Sequence, residues 1–340
     1  MNKAQKIITE GDFESYDKVE GLVREALQVG EIEKGQQDVF NDLDTVLDED
    51  YRHPIPMGIP GIDKLLKGGL AKGEIGVILA PTGVGKTTVL TKIANTAFNM
   101  GYNVLQIFFE DNPKIVQRKH FTIWTGIEPD NLVLHKEKVM EKITEIKETM
   151  QNRLILKKLA SDTMTMNQIK NQVRKMIADG TKIDMILMDY IDCVLPESSA
   201  KDEWKAEGSV MRAFEAMCHE LDLAGWTATQ GNRSSISSEV VTTDQMGGSI
   251  KKAQIGHFIM SVARTLPQKE SGRATIAVLK SRFGRDGVVF EDCTFDNGKV
   301  YIDTETSQTF LGYEKTQEVK KETHTRERIQ RARELQKQQK

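Results

Sequence analysis

Between residues 73 and 88 the chain reads Gly-Glu-Ile-Gly-Val-Ile-Leu-Ala-Pro-Thr-Gly-Val-Gly-Lys-Thr-Thr, an apolar run that breaks into a glycine-spaced loop ending in a lysine and two hydroxyls. Gly83 and Gly85 let the chain curl so that successive backbone N–H groups converge on one anion. Lys86 adds a full positive charge, and the Thr87 hydroxyl stands where Mg²⁺ would sit beside a phosphate. A helix expected over 87–100 turns its positive end toward the same anion. Thr82, Gly83, Val84, Gly85, Lys86, Thr87 and Thr88 therefore form an expected cradle for the phosphates of ATP. Ala80 stands where the common pattern has its first glycine.

Hydrolysis asks for more than a cradle: a carboxylate beside the metal, a base for water, and positive charge against the γ-phosphate. Asp189 ends an apolar run at 183–188 and is the expected second Mg²⁺ ligand, with Thr87. Glu110 follows the run 104–109 and is the expected base, with Asp111 as its rival. Gln230 ends the run 226–229, where an amide would sense a γ-phosphate. Lys280 and Arg282 lie two apart on an expected strand and so project from one face. They suit either a solvated sheet edge or a cationic finger reaching a phosphate across a subunit boundary.

These residues need a sheet whose strands end along one edge. From about residue 57 strand and helix signals alternate, the pattern of a parallel sheet with helical crossovers. Strands are expected over 75–79, 104–109, 154–156, 183–188, 226–229 and 257–263, and helices over 87–100, 137–150, 167–178 and 203–223. Near the end, 274–282 and 288–290 flank Gly284-Arg285-Asp286-Gly287, a hairpin signal, and 300–302 would complete an antiparallel edge. In such a sheet Glu110, Asp189 and Gln230 fall together at the C-terminal ends of the strands, where ligands bind in open α/β folds.

The flanks differ from this body. The net charge of −3 hides an acidic N-terminal stretch, residues 1–50, and a basic stretch over 314–340. Val19, Leu22, Val23, Ala26 and Leu27 follow helical spacing up to Gly30, but one helix on a charged tether cannot build its own core and must dock elsewhere. Residues 51–313 are the expected catalytic domain, and 314–340 a basic helical or disordered tail. Three widely spaced cysteines fit a reducing compartment and no zinc module. With no apolar run near the ~20 residues of a membrane helix, a cytoplasmic protein is expected, in a bacterial host if phage-encoded.

Taken together, the segment from Met57 to Leu70, the loop at 80–88, Glu110, Asp189-Tyr190, Trp226-Thr227-Ala228-Thr229-Gln230 and Leu279-Lys280-Ser281-Arg282-Phe283-Gly284 resemble the replicative DNA helicases of the DnaB superfamily, in its phage-type branch. The resemblance spans roughly 57–302. It implies a RecA-like P-loop NTPase core with a C-terminal hairpin and a short helical N-terminal linker. It also implies a homo-hexamer that hydrolyses ATP and translocates 5′–3′ on single-stranded DNA in replication. By that likeness Glu110 is the catalytic glutamate, Gln230 the γ-phosphate sensor, and Lys280 and Arg282 act on the neighbour's ATP. Primase, a helicase loader or a polymerase are the implied partners through the termini, with no membrane. The family's Asp-Tyr-Leu-Gln is here Asp189-Tyr190-Ile191-Asp192, and no counterpart of its large N-terminal domain is expected within residues 1–50.

DNA contacts are expected from two loops, 196–208 with Lys201, Trp204 and Lys205, and 231–253 with Arg233, Lys251 and Lys252, where lysine and arginine meet phosphates. Two other functions suit parts of the pattern: a recombinase-like or KaiC-like ring ATPase in recombination or regulation, and a nucleotide-dependent replication scaffold. The Lys-x-Arg pair favours the helicase over the first, and an intact Lys86, Glu110, Asp189 and Gln230 over the second.

Overall fold

The first strand, β1 (Ile75–Ala80), is buried at every residue, as a strand covered on both faces must be. It lies at the centre of a ten-stranded sheet in a computed structural model that describes residues 39–40, 43–47, 51–196, 203–246, 250–304 and 308–310. The chain divides into two units, Met1–Tyr51 and Arg52–Lys340. In the first, one helical turn is described, α1 (Leu43–Val46), and Leu43, Val46 and Leu47 are exposed. The helix expected around Val19–Leu27 and the basic stretch 314–340 lie outside the described residues, as do Lys201, Gly247 and Gly248.

In the second unit, α2 (Pro60–Leu65) leads to β1, and α3 (Lys86–Asn99) to β2 (Val104–Phe108). Next come α4 (Pro113–Thr125), α5 (Lys136–Thr149), β3 (Leu154–Lys158), α6 (Met166–Ala178), β4 (Met185–Asp189), α7 (Glu203–Glu220) and β5 (Ala224–Gln230). The chain continues through α8 (Ile250–Ile255), β6 (Phe258–Ala263), α9 (Leu266–Glu270), β7 (Arg273–Ser281), β8 (Val288–Asp296), β9 (Tyr301–Asp303) and β10 (Gln308–Phe310). The sheet order is β10-β8-β7-β6-β1-β5-β4-β2-β3, with β9 paired to β8. Strands β6, β1, β5, β4, β2 and β3 run parallel, and β7 to β10 extend the sheet antiparallel.

Alternation along the strands splits the core in two. Ile78, Ala80, Leu187, Trp226 and Ala228 face Val89, Leu90, Ile93 and Ala97 of α3. Ile75, Val77, Leu79, Ile107, Ile186 and Met188 face Ile169 and Val173 of α6 and Phe214 and Met217 of α7. Trp226 lies so close across β1 that a Cβ on Gly76 would stand 2.4 Å from its ring, so this position takes no side chain.

Four helices of the second unit that the sequence reading leaves as loop, α2, α4, α8 and α9, are present, and so is the edge strand β10. At the edge, β10 pairs with β8 and leaves β9 beside it, where 300–302 alone was expected. The β7–β8 connection is wider than a two-residue turn: Gly287 takes φ +70° and its N–H reaches Val278 O at 2.8 Å.

Between α3, β2 and α4 the core is polar. His120, 2% exposed, donates from Nε2 to Gln106 Oε1 (3.0 Å) and accepts at Nδ1 from Asn95 Nδ2 (3.2 Å). Burial pulls the His120 imidazole down to about 3. The folded state therefore keeps it neutral, while the unfolded chain protonates below its ordinary value near 6.5. Its contribution to stability is whole above that value and falls by about 1.4 kcal/mol per pH unit below it. Asp63 acts in the opposite sense, because burial raises its carboxyl to about 6 and protonation on acidification favours the fold. Urea unfolding of wild type against His120→Asn at pH 7 and pH 5 isolates the histidine. The wild type should lose about 2 kcal/mol more than the variant, and equal losses would contradict a neutral His120.

Candidate active site

Parallel pairing sets the site. Ala80 pairs with Gln230 and Phe108 with Asp189, so β1, β5, β4 and β2 all release the chain at one edge of the sheet. Between Ala80 and α3 the loop curls with Gly83 at φ +74° and Gly85 at φ +118°. Gly85 is also a close approach, since a Cβ there would stand 2.7 Å from Asn297 Oδ1 and 2.8 Å from the Phe295 ring. Ala80 itself is a buried strand residue without a positive φ, so the missing glycine costs the loop nothing.

A cavity of about 370 Å³ opens over this loop, lined by Thr82, Gly83, Gly85, Lys86, Thr87, Thr88, Glu110, Asp111, Lys119, Asp189, Tyr190, Gln230 and Asn297. The expected cradle lines it except Val84, whose side chain is buried in the core. Glu110, Asp189 and Gln230 arrive from three different strand ends. Lys119 and Asn297 are additions that the sequence reading does not make. Lys119 comes from α4, which starts on an Asn112 cap with Pro113 in its first turn, and Asn297 from the turn after β8.

Three carboxylates and two ammoniums line the cavity, and several of them are partly dehydrated. Burial pulls the Lys86 ammonium below its usual range, against the attraction of Asp189, Asp192 and Glu110. Burial pushes the Asp189 carboxyl up, opposed by a hydrogen bond from Thr87. Lys119 is drawn down by burial and held up by Asp111 and Asp189. A hydroxyl and a carboxylate side by side at a phosphate loop suit Mg²⁺, which takes one or two carboxylates and completes its shell with water and phosphate oxygens. The two acidic rivals differ in surroundings. Asp111 sits with Lys119 and Asp189, whereas Glu110 Oε1 accepts from the Tyr190 hydroxyl at 3.2 Å. Lys158 Nζ fixes the backbone beneath both, donating to Glu110 O at 2.6 Å and Asp111 O at 2.8 Å.

Asp192, the departure after Asp189-Tyr190, anchors the end of β5. Its carboxylate accepts from Thr229 Oγ1 at 3.0 Å and from the Gln230 backbone N–H at 3.1 Å, and it pairs with Lys252. This corrects the expectation for Lys252: it is 2% exposed and tied to Asp192, so it does not stand on a solvated loop. Lys251 is half-buried, packed against Gly208 of α7. Arg233 is exposed in the tight turn Arg233–Ser237 just after Gln230. The side chains of Trp204 and Lys205 lie outside the described residues. Removing one member of a buried pair leaves the other charge uncompensated. Lys252→Met should therefore lower folding stability by roughly 3–5 kcal/mol, while Arg233→Ala should leave it within about 0.5 kcal/mol. Denaturant melts of the two variants separate these outcomes.

Lys280 and Arg282 also part company. Lys280 Nζ donates to the carbonyls of Ala253 (2.8 Å) and Gln254 (2.6 Å) at the end of α8, where a cation complements the helix dipole. It is engaged within its own chain, a correction to the expectation that both cations reach outward. Arg282 is exposed and does not line the cavity.

Residues 54–297 match the family described as DnaB-like helicase C terminal domain. The DnaB-like replicative helicase of Enterobacteria phage T4 is 23% identical over 244 residues, which cover 68% of this chain and 50% of that protein. The DNA repair protein RadA of Mycobacterium tuberculosis is 25% identical over 112 residues, 33% of this chain and 23% of RadA. The chain thus spans about half the length of the first relative and less of the second. A solved structure of a DnaB-like replicative helicase and its interactions with primase superposes with a TM-score of 0.68 at 17% identity, covering 89% of this chain and 75% of that chain. At that identity the likeness is one of fold. The family match takes in the phosphate loop, Glu110, Asp189, Gln230 and the β7–β8 hairpin, and the chain belongs to the DnaB-like helicase C-terminal domain family.

Proposed function

We propose that this chain is the motor core of an ATP-driven replicative helicase that works as a hexameric ring, moving 5′–3′ on single-stranded DNA with Mg²⁺ in each site. The observation that carries this reading is a phosphate loop, Glu110, Asp189 and Gln230 brought to one cavity, with Arg282 exposed outside it on the same chain. In a ring each subunit would offer Arg282 to its neighbour's γ-phosphate.

The roles follow from chemistry. Backbone N–H groups of residues 82–87 and the Lys86 ammonium hold the β- and γ-phosphates. Thr87 and Asp189 would hold Mg²⁺, which neutralises charge on the phosphates as the bond breaks. Glu110 takes the proton of the attacking water, and Gln230 reads the γ-phosphate through its amide. Arg233 and the neighbouring loop meet DNA backbone phosphates. Residues 1–50 act as the segment that docks on an adjacent subunit, and primase, a loader or a polymerase bind through the termini.

ATPase assays with and without single-stranded DNA, alongside native mass measurement, test this. Hydrolysis stimulated by DNA in a six-subunit species supports it, and a monomer whose slow hydrolysis ignores DNA contradicts it. Deleting residues 1–35 should weaken the ring and leave the melting of the core unchanged. A truncated chain that stays hexameric on dilution would remove the docking role. The likeness to RadA favours one alternative, a ring ATPase acting in recombination. Unwinding of a forked duplex by the chain alone distinguishes the helicase.

A further inference from the structure

Tyr190 stands between the base and the sensor, and neither role described above uses it. Its hydroxyl donates to Glu110 Oε1 at 3.2 Å and accepts from Gln230 Nε2 at 3.2 Å. Its ring lies under the Lys86 ammonium, 5.5 Å from the centroid. Three strand ends thus feed one line of hydrogen bonds, from the amide after β5, through the hydroxyl after β4, to the carboxylate after β2.

We propose that Tyr190 is a positioning residue that holds Glu110 in register with Gln230 and makes the base sensitive to what the sensor touches. The proposal rests on Glu110 being the base. A hydroxyl donating to one carboxylate oxygen fixes the side chain's rotamer and leaves the second oxygen to receive the proton from water. The Tyr190 hydroxyl donates more strongly while Gln230 donates to it, because each bond in such a chain polarises the next. A γ-phosphate oxygen competes for the Gln230 amide. As the amide turns to the phosphate, the hydroxyl loses that polarisation and its hold on Glu110 changes. The position of the base thereby depends on what the sensor touches.

Burial and the neighbouring Glu110 and Cys193 keep the phenol itself neutral across the working range. Other charged groups also bear on Glu110. Lys86 from α3 attracts it, Asp111 follows it in the chain, Lys158 from β3 holds its backbone, and Cys193 lies within electrostatic reach. None of these connects it to Gln230.

Tyr190→Phe removes one oxygen, keeps the ring against Lys86, and breaks both hydrogen bonds. The test measures ATP hydrolysis by the full chain in wild type, Tyr190→Phe, Glu110→Gln and the double variant, as kcat and KM across pH, with thermal melts as a control for folding. The expected result for Tyr190→Phe is an unchanged melt, a KM within about twofold of wild type, and a kcat lower by roughly 10–100-fold. A loss confined to kcat marks a base held out of position, whereas a side chain that only filled space would show its loss in the melt. Adding Tyr190→Phe to Glu110→Gln should change nothing further. A kcat equal to that of wild type, or a further loss in the double variant, overturns the proposal while leaving Glu110 as the base. Hydrolysis by Glu110→Gln at the wild-type rate overturns it by removing the base on which it rests.

Discussion

Arg282→Ala is expected to bind ATP almost as wild type does and to hydrolyse it 10³–10⁵-fold more slowly, about the worth of a finger that neutralises charge in phosphoryl transfer. The reasoning is one of location. Arg282 is exposed, starts the connection between β7 and β8, and is held there by its backbone N–H to His257 O at 3.0 Å. It does not line the cavity of its own chain. A residue that never meets the bound triphosphate of its own subunit contributes little to that subunit's affinity, so KM should hardly change. A cation that arrives only as charge develops stabilises the transition state selectively, so the whole loss should fall on kcat. Lys280→Ala should behave differently. Its ammonium caps α8, so the effect should be a looser sensor-side loop and a smaller fall in rate.

Glu110→Gln is the second large effect. The substitution keeps shape and hydrogen bonding but removes the basic oxygen, and general-base catalysis is worth typically 10²–10⁴ in rate. ATP should still bind, since the phosphates are held by the loop and by Lys86. Lys86→Ala should fail earlier, at binding, because it removes the charge that a partly buried phosphate needs. Asp111→Asn is the control. Asp111 sits with Lys119 and Asp189 in the cavity, so its loss should weaken the site without abolishing the base. Equilibrium binding of ATP and single-turnover hydrolysis in the three variants separate these cases. Near wild-type hydrolysis in Glu110→Gln with none in Asp111→Asn would exchange the two roles.

Much of this site is legible from local sequence. A strand buried on both faces reads as a continuous apolar run, so β1 and the loop after it stand out. Asp189, Glu110 and Gln230 stand out because each is a polar residue at the end of such a run. The residues that sequence misplaces depend on partners far along the chain. Lys252 looks like a solvated loop lysine until Asp192, 60 residues away, is beside it. Lys280 has the spacing of a finger until α8 delivers two carbonyls to it. Lys119 goes unseen because α4, which carries it, is left as loop in the sequence reading. Pro113 occupies the first turn of α4, behind an Asn112 cap and ahead of Gly126 at φ +70°, a start and stop that the sequence does contain. Asn297 could not be read locally, since the antiparallel strands carry it to the phosphate loop.

The central claim is that each active site is completed by a neighbour, and mixing tests it most directly. Glu110→Gln subunits lack their own base but still offer Arg282, and Arg282→Ala subunits keep an intact Glu110. Each alone should be inactive. Rings containing both, confirmed by mass, hold some interfaces with a good base on one side and a good finger on the other, so single-site hydrolysis should return in part. Mixed rings that hydrolyse no more than either variant alone would contradict a finger acting between subunits.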